Sequence, residues 1–165
     1  MAQRLGDNIV MSRQQSSKDS SWNGYNNAGI AAVAIGCTLN HLPVISLAKA
    51  LTIMPIVMHE STLKFLANSN TRSREIASLI SLRPDFAHNF SDRYHSSLVH
   101  SINAIQILVN LGYISFDGRV SKVKNFIIDD DFGKRAYRIN NASGEIASLL
   151  ASSEEEIYLN LRIAL

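Results

Sequence analysis

The chain has 165 residues, 46% of them hydrophobic and 18% charged, with a formal net charge of +2. That composition and a mean hydropathy of +0.02 exclude a disordered polyelectrolyte. They leave one globular domain, or two small ones, with a workable core. One cysteine, Cys37, cannot form an internal disulfide. The expected compartment is therefore a reducing cytoplasm, with the thiol read as a small buried hydrophobe.

Residues 1–21 are polar and lack the apolar stretch of a signal peptide, so they are read as a flexible N-terminal arm. Residues 22–165 are read as a single, mainly helical domain. In SWNGYNNAG, Trp22 and Asn23 stand among turn formers. This segment is expected to pin the arm and to cap the next helix through an Asn. Residues 28–48 carry no Lys, Arg, Asp or Glu. Thr38, Asn40, His41 and Pro43 nevertheless fall at their centre, where hydrocarbon would penalise them most, so a membrane span is not expected. Two soluble helices are expected instead, one over 29–39 and one with Pro43 as its first residue.

Pro55 removes a helical hydrogen bond, so the second helix is expected to kink or end there and to resume over 56–67. A short helix over 72–82 follows, with Ile76, Leu79 and Ile80 inward, closed by Pro84. Ser91 is the expected N-cap of a long helix over 92–111. Leu98, Ile102, Ile105 and Val109 share one arc of it and form the predicted inner stripe, with Arg93, Ser96, Ser97, His100 and Asn103 opposite. After Gly112 the period drops to two, which predicts a β-hairpin over 113–128 turning at Asp117-Gly118. Acidic amphipathic helix closes the chain.

Charge is uneven along this path. Residues 61–128 carry eight Lys/Arg against four Asp/Glu, and residues 129–165 carry four against seven. A mildly basic middle and an acidic end do not by themselves specify a nucleic-acid partner.

Catalytic signatures are missing. His59-Glu60 begins the H-E-x-x-H pattern that puts two zinc ligands on one helical face, but Leu63 stands where the second His belongs. His88, His95 and His100 are spaced by seven and five, which gives no i, i+4 chelating pair. There is no G-x-S-x-G, P-loop or G-x-G-x-x-G, and Asp129, Asp130 and Asp131 lack EF-hand spacing. No catalytic residue, cofactor site or metal site is assigned, and a non-enzymatic role is expected.

Helix, helix, long helix and hairpin over about 56–128 follow the order of a winged helix-turn-helix. In such a module Arg93, His100 and Asn103 would face bases, while Arg119, Lys122 and Lys124 on the hairpin would meet phosphates. A DNA-binding transcriptional regulator is therefore one reading. Winged helices also dock proteins, and Ile107 interrupts the polar face of the long helix, which suits a protein contact better.

Four stretches carry a family resemblance: SWNGYNNAGIAAVAI (21–35), LPVISLAKALTIMPIVMHESTLKFL (42–66), SLRPDFAHNFSDRY (81–94) and EEEIYLNLRIAL (154–165). On these the chain resembles the middle component of bacterial three-component ABC-ATPase conflict systems. The resemblance implies an adaptor linking a Rad50/SMC-like ABC ATPase to an effector protein in anti-phage or anti-plasmid defence. It also implies structural or partner-facing roles for Trp22, Asn23, Pro55 and His59.

Overall fold

A computed structural model describes residues 16–68 and 75–165, with side chains from residue 27 onward. Helix α1 runs over Ser16–His41. It begins well before the expected start at 29, and residues 22–27 lie inside it rather than capping it. The side chains of Trp22 and Asn23, and residues 1–15 of the expected arm, lie outside the described residues.

Over residues 31–39, α1 is apolar nearly all round because it is enclosed nearly all round. Ala31, Ala34, Ile35, Cys37 and Leu39 are fully buried, and α1 packs against the three other long helices. Thr38 is buried too. Its hydroxyl donates to the Ala34 carbonyl at 2.7 Å, so it needs no partner from outside the helix.

The chain then forms strand β1, Val44–Ser46, and helix α2, Leu47–Met58. Pro43 is therefore not the first residue of a helix. Its carbonyl accepts from Lys122 N at 2.7 Å, which draws the segment into a sheet, and Ser46 caps α2 by accepting from Lys49 N. Pro55 neither ends nor restarts the helix. It lies inside α2, among residues 52–57 that are all buried. The break comes at His59 (φ −88°, ψ 103°), before helix α3, Glu60–Leu66. A proline φ fits a helix, and one lost hydrogen bond is tolerable where the surrounding core fixes the path.

Helix α4, Ile76–Leu82, and a 3-10 turn over Pro84–Ala87 lead to helix α5, Phe90–Asn110. Asn89, in the left-handed region at φ 53°, precedes α5. Ser91 is thus inside the helix, and its hydroxyl accepts from Ala164 N at 3.2 Å. The buried face of α5 is Tyr94, Ser97, Ser101, Ala104, Ile105 and Leu108. The expected stripe was rotated from this: Ile102 is 46% exposed and Val109 38%. Small residues face inward because α5 lies against both α1 and α2, where Ala and Ser permit close approach. Ser97 donates to the Tyr94 carbonyl, whereas the Ser101 hydroxyl is buried without a partner among the described residues.

Gly112 closes α5 at φ 71°. Tyr113 N donates to Leu108 O and Gly112 N to Val109 O, the paired bonds of a Schellman cap. Strands β2, Ile114–Phe116, and β3, Arg119–Lys122, follow as the expected hairpin, shorter than 113–128. Gly118, at φ 88°, lies in its loop. The antiparallel sheet has the order β1-β3-β2, with Ile45 and Phe116 both opposite Val120. Helix α6, Gly133–Leu150, packs on α1 and α3, and helix α7, Glu154–Asn160, packs on α4, α2 and α6. The molecule is mainly helical, with one small antiparallel sheet.

Candidate partner interface on the hairpin and its anchor

Arg93 stands in the first turn of α5, an unfavourable end for a cation. Its guanidinium explains the placement. Nε donates to Pro55 O at 3.3 Å, Nη1 to His88 O at 2.8 Å and Nη2 to Phe86 O at 3.0 Å. Burial pushes its pKa down. Three carbonyls therefore occupy a fork that was expected to read base edges. Arg93 clamps the end of α2 to the segment before α5. A cation at a helix N-terminus was the available signal for such a role.

His59 lies in the same corner. Its Nδ1 is 2.7 Å from Thr62 Oγ1, and its ring meets Phe86 edge-on with centroids 6.1 Å apart. Burial, and then the Arg93 and Arg83 charges, hold its pKa below the usual 6.5, with Asp85 acting the other way. Ser61 Oγ is 3.3 Å from the same Nδ1. Asp85, however, is held by Arg83 through bonds of 3.0 and 2.8 Å, and this pairing keeps its carboxyl below its usual range. Arg83 also covers the Phe86 ring at 4.2 Å. No Ser-His-Asp relay is assembled, and each polar group has a structural partner.

The hairpin exposes a different chemistry. Arg119 is exposed on β3. Lys122 Nζ donates to Asn125 Oδ1 at 2.9 Å, and Lys124 Nζ lies 4.2 Å over the Tyr113 ring. On the hairpin and the segment after it, Phe116, Val123 and Ile127 are 47%, 62% and 77% exposed. The irregular chain after β3 is held in place all the same. The Asn40 amide donates to Phe126 O at 2.7 Å and accepts from Phe126 N at 3.1 Å. The Phe126 ring lies on Gly36, where an added Cβ would come within 2.5 Å of it. Tyr113 meets its edge at 5.1 Å. Nothing in the local sequence marks Asn40 and Phe126 as partners, since 86 residues separate them.

Of the six residues expected at a nucleic acid, Arg93 has its guanidinium taken by backbone carbonyls. His100 is half-buried and Asn103 exposed on α5. Arg93 lies ten residues before Asn103, about 15 Å along the axis, and turns inward. Arg119, Lys122 and Lys124 belong to the hairpin.

A cleft of about 490 Å³ is lined by Ala67, Asp130, Gly133, Lys134, Tyr137, Arg138 and Asn141. Tyr137 donates to Asp130 at 2.8 Å and Arg138 pairs with Glu60, so much of its polar lining is already engaged. Among the described residues there is no group of three His, Cys, Asp or Glu placed to hold a metal ion. No helix there is long and apolar enough to cross a membrane. The Cys37 thiol, pushed up to about 12 by burial, is a core residue.

A family model described as ABC-three component (ABC-3C) system Middle Component 3 matches residues 40–165. No curated protein and no solved structure matches the chain. The match spans β1 to α7, and with them the Arg93 corner and the anchored hairpin. The chain belongs to the Middle Component 3 family of ABC-three component systems.

Proposed function

We propose that this middle component is a non-enzymatic adaptor, joining the SMC-like ABC ATPase of its system to an effector in defence against phage or plasmids. The observation that carries the reading is the hairpin surface. Phe116, Val123 and Ile127 are exposed on the hairpin and the segment after it, a stretch that also carries Arg119, Lys122 and Lys124, and Asn40 pins that segment at Phe126. Exposed apolar side chains on a stretch that also carries polar and charged residues have the composition of a protein interface. A pinned backbone loses little entropy on docking. Acidic residues Glu154, Glu155 and Glu156 are exposed on α7, so a second partner can be met by a surface of opposite sign. The mutual pairing of polar groups in the corner and the cleft supports a role without catalysis.

The test is co-expression of the chain with the ATPase and the effector of its system. The adaptor should co-purify with both. Phe116→Asp combined with Ile127→Asp should weaken one of the two contacts at least tenfold while the circular dichroism spectrum stays unchanged. A chain that binds neither protein, or a double variant that binds both as before, overturns the proposal.

A further inference from the structure

The outward side of α5 is a long helix surface, in part apolar and without Asp, Glu, Lys or Arg over most of its length. From Tyr94 to Leu111 there is no Asp, Glu, Lys or Arg. The solvated faces of α3, α6 and α7 all carry charge, with Glu60 and Lys64, Lys134 and Arg135, and Glu154 to Glu156. On α5, Val99 is 64% exposed, Ile102 46%, Ile107 39%, Val109 38% and Leu111 58%. The polar residues beside them are His95, Ser96, Asn103, Gln106 and Asn110, none of them Asp, Glu, Lys or Arg. At 100° per residue, Val99, Ile102, Gln106 and Val109 fall within an arc of about 80°. A solvated helix face of this length ordinarily carries charge. An apolar, charge-free one is a surface that something covers.

We infer that a second copy of this chain covers it, forming a two-fold dimer through α5. In such a dimer each face meets itself, so a charge near the axis would oppose its own copy. This face has no charge to oppose. The Asn103, Gln106 and Asn110 carboxamides each hold both donors and an acceptor, so each can pair with an identical amide. The face offers no cation to a phosphate backbone or an anionic lipid surface, and no net sign to a charged protein. Packing of α5 on α1 and α2 holds the face rigid before contact, which lowers the cost of association. From Ser96 to Leu111 the face is about 24 Å long. One helix pair of that length buries less than the roughly 800 Å² per partner of a standard stable interface. The dimer is therefore concentration-dependent, and the hairpin surface stays free for other partners.

Sedimentation velocity of the full chain, over protein concentrations on the order of 1–100 μM, tests the inference. The expected result is a shift from the 18.2 kDa monomer to a dimer across that range. Ile102→Lys and Ile102→Glu should each remain monomeric throughout, with unchanged circular dichroism, because Ile102 is exposed and the core is untouched. Mixing the two variants should restore a dimer through opposite charges at the shared face. A wild-type chain that stays monomeric to the top of the range, or variants that dimerise as the wild type does, overturns the inference. Failure of the mixed variants to dimerise while each alone is folded also overturns it. None of these outcomes depends on binding of the ATPase or the effector.

Discussion

Arg162 occupies the left-handed region at φ 55°, in a position that glycine usually fills. Arg162 N donates to Leu159 O and Ile163 N to Tyr158 O, so α7 ends in the same paired bonds that Gly112 provides for α5. An L-residue there costs about 1–2 kcal/mol, against about 0.5–1 kcal/mol for the greater entropy a glycine loses. Arg162→Gly is expected to stabilise the fold by roughly 0.5–1 kcal/mol in urea denaturation. A destabilised variant would show that the Arg162 side chain contributes something the backbone does not. His59 gives a second residue-scale expectation. Its folded pKa lies below 6.5, so as pH falls through that value the unfolded chain takes up a proton that the folded chain resists. Stability present above about pH 6.5 is therefore lost as pH drops, until the folded-state value is passed. The melting temperature should fall more steeply between about pH 7 and pH 5 in the wild type than in His59→Gln. Parallel curves for the two proteins would rule the assignment out.

Among the elements, the irregular segment after β3 shows how tertiary bonds replace a ladder. Asn40→Ala removes both bonds to the Phe126 backbone and leaves a part-buried N–H and C=O unpaired, a cost of about 1–3 kcal/mol. Amide exchange at Phe126 and its neighbours should quicken, while that of the α1 core residues changes far less; equal protection in the variant would count against the anchor. The sequence displayed the hairpin plainly, because Asp117-Gly118 punctuates a change of period, and the acidic start of the last helix was equally visible. Strand β1 was not legible. Val44–Ser46 is too short to show a period, and it is extended because β3 lies beside it. The helix does not end at Pro55 for a related reason, since α2 is held by a core on either side of the lost hydrogen bond. On α5 the large apolar residues suggested one inner stripe, but close packing against two helices selected the Ser and Ala side instead. At the candidate site, Arg119, Lys122 and Lys124 could be read as a basic hairpin. Arg93 as a clamp could not, because its acceptors are carbonyls that only the fold brings together.

For the whole molecule, α1 touches each of the other long helices, and several bonds tie distant parts of the chain. The Tyr158 hydroxyl donates to Ala48 O at 2.8 Å and lies 3.0 Å from the Tyr94 hydroxyl, joining α7, α2 and α5. Burial, then the Tyr94 contact, raises the Tyr158 pKa, so this link persists across the neutral range. Arg138 on α6 pairs with Glu60 on α3, and Ala164 N reaches Ser91 on α5. With the segment after the hairpin pinned to α1 by Asn40 and the C-terminal helices packed on the same core, unfolding is expected to be one cooperative event. Ile35, fully buried on α1, is a sensitive place to test this. Ile35→Ala should cost about 2–5 kcal/mol through lost burial and the cavity left behind. If the molecule is one unit, a probe at Val120 in the sheet and a probe at Ile157 in α7 will lose protection at the same, lowered denaturant concentration. Separate midpoints in the wild type, or a shift at one probe alone in the variant, would show that the hairpin end and the C-terminal end fold independently.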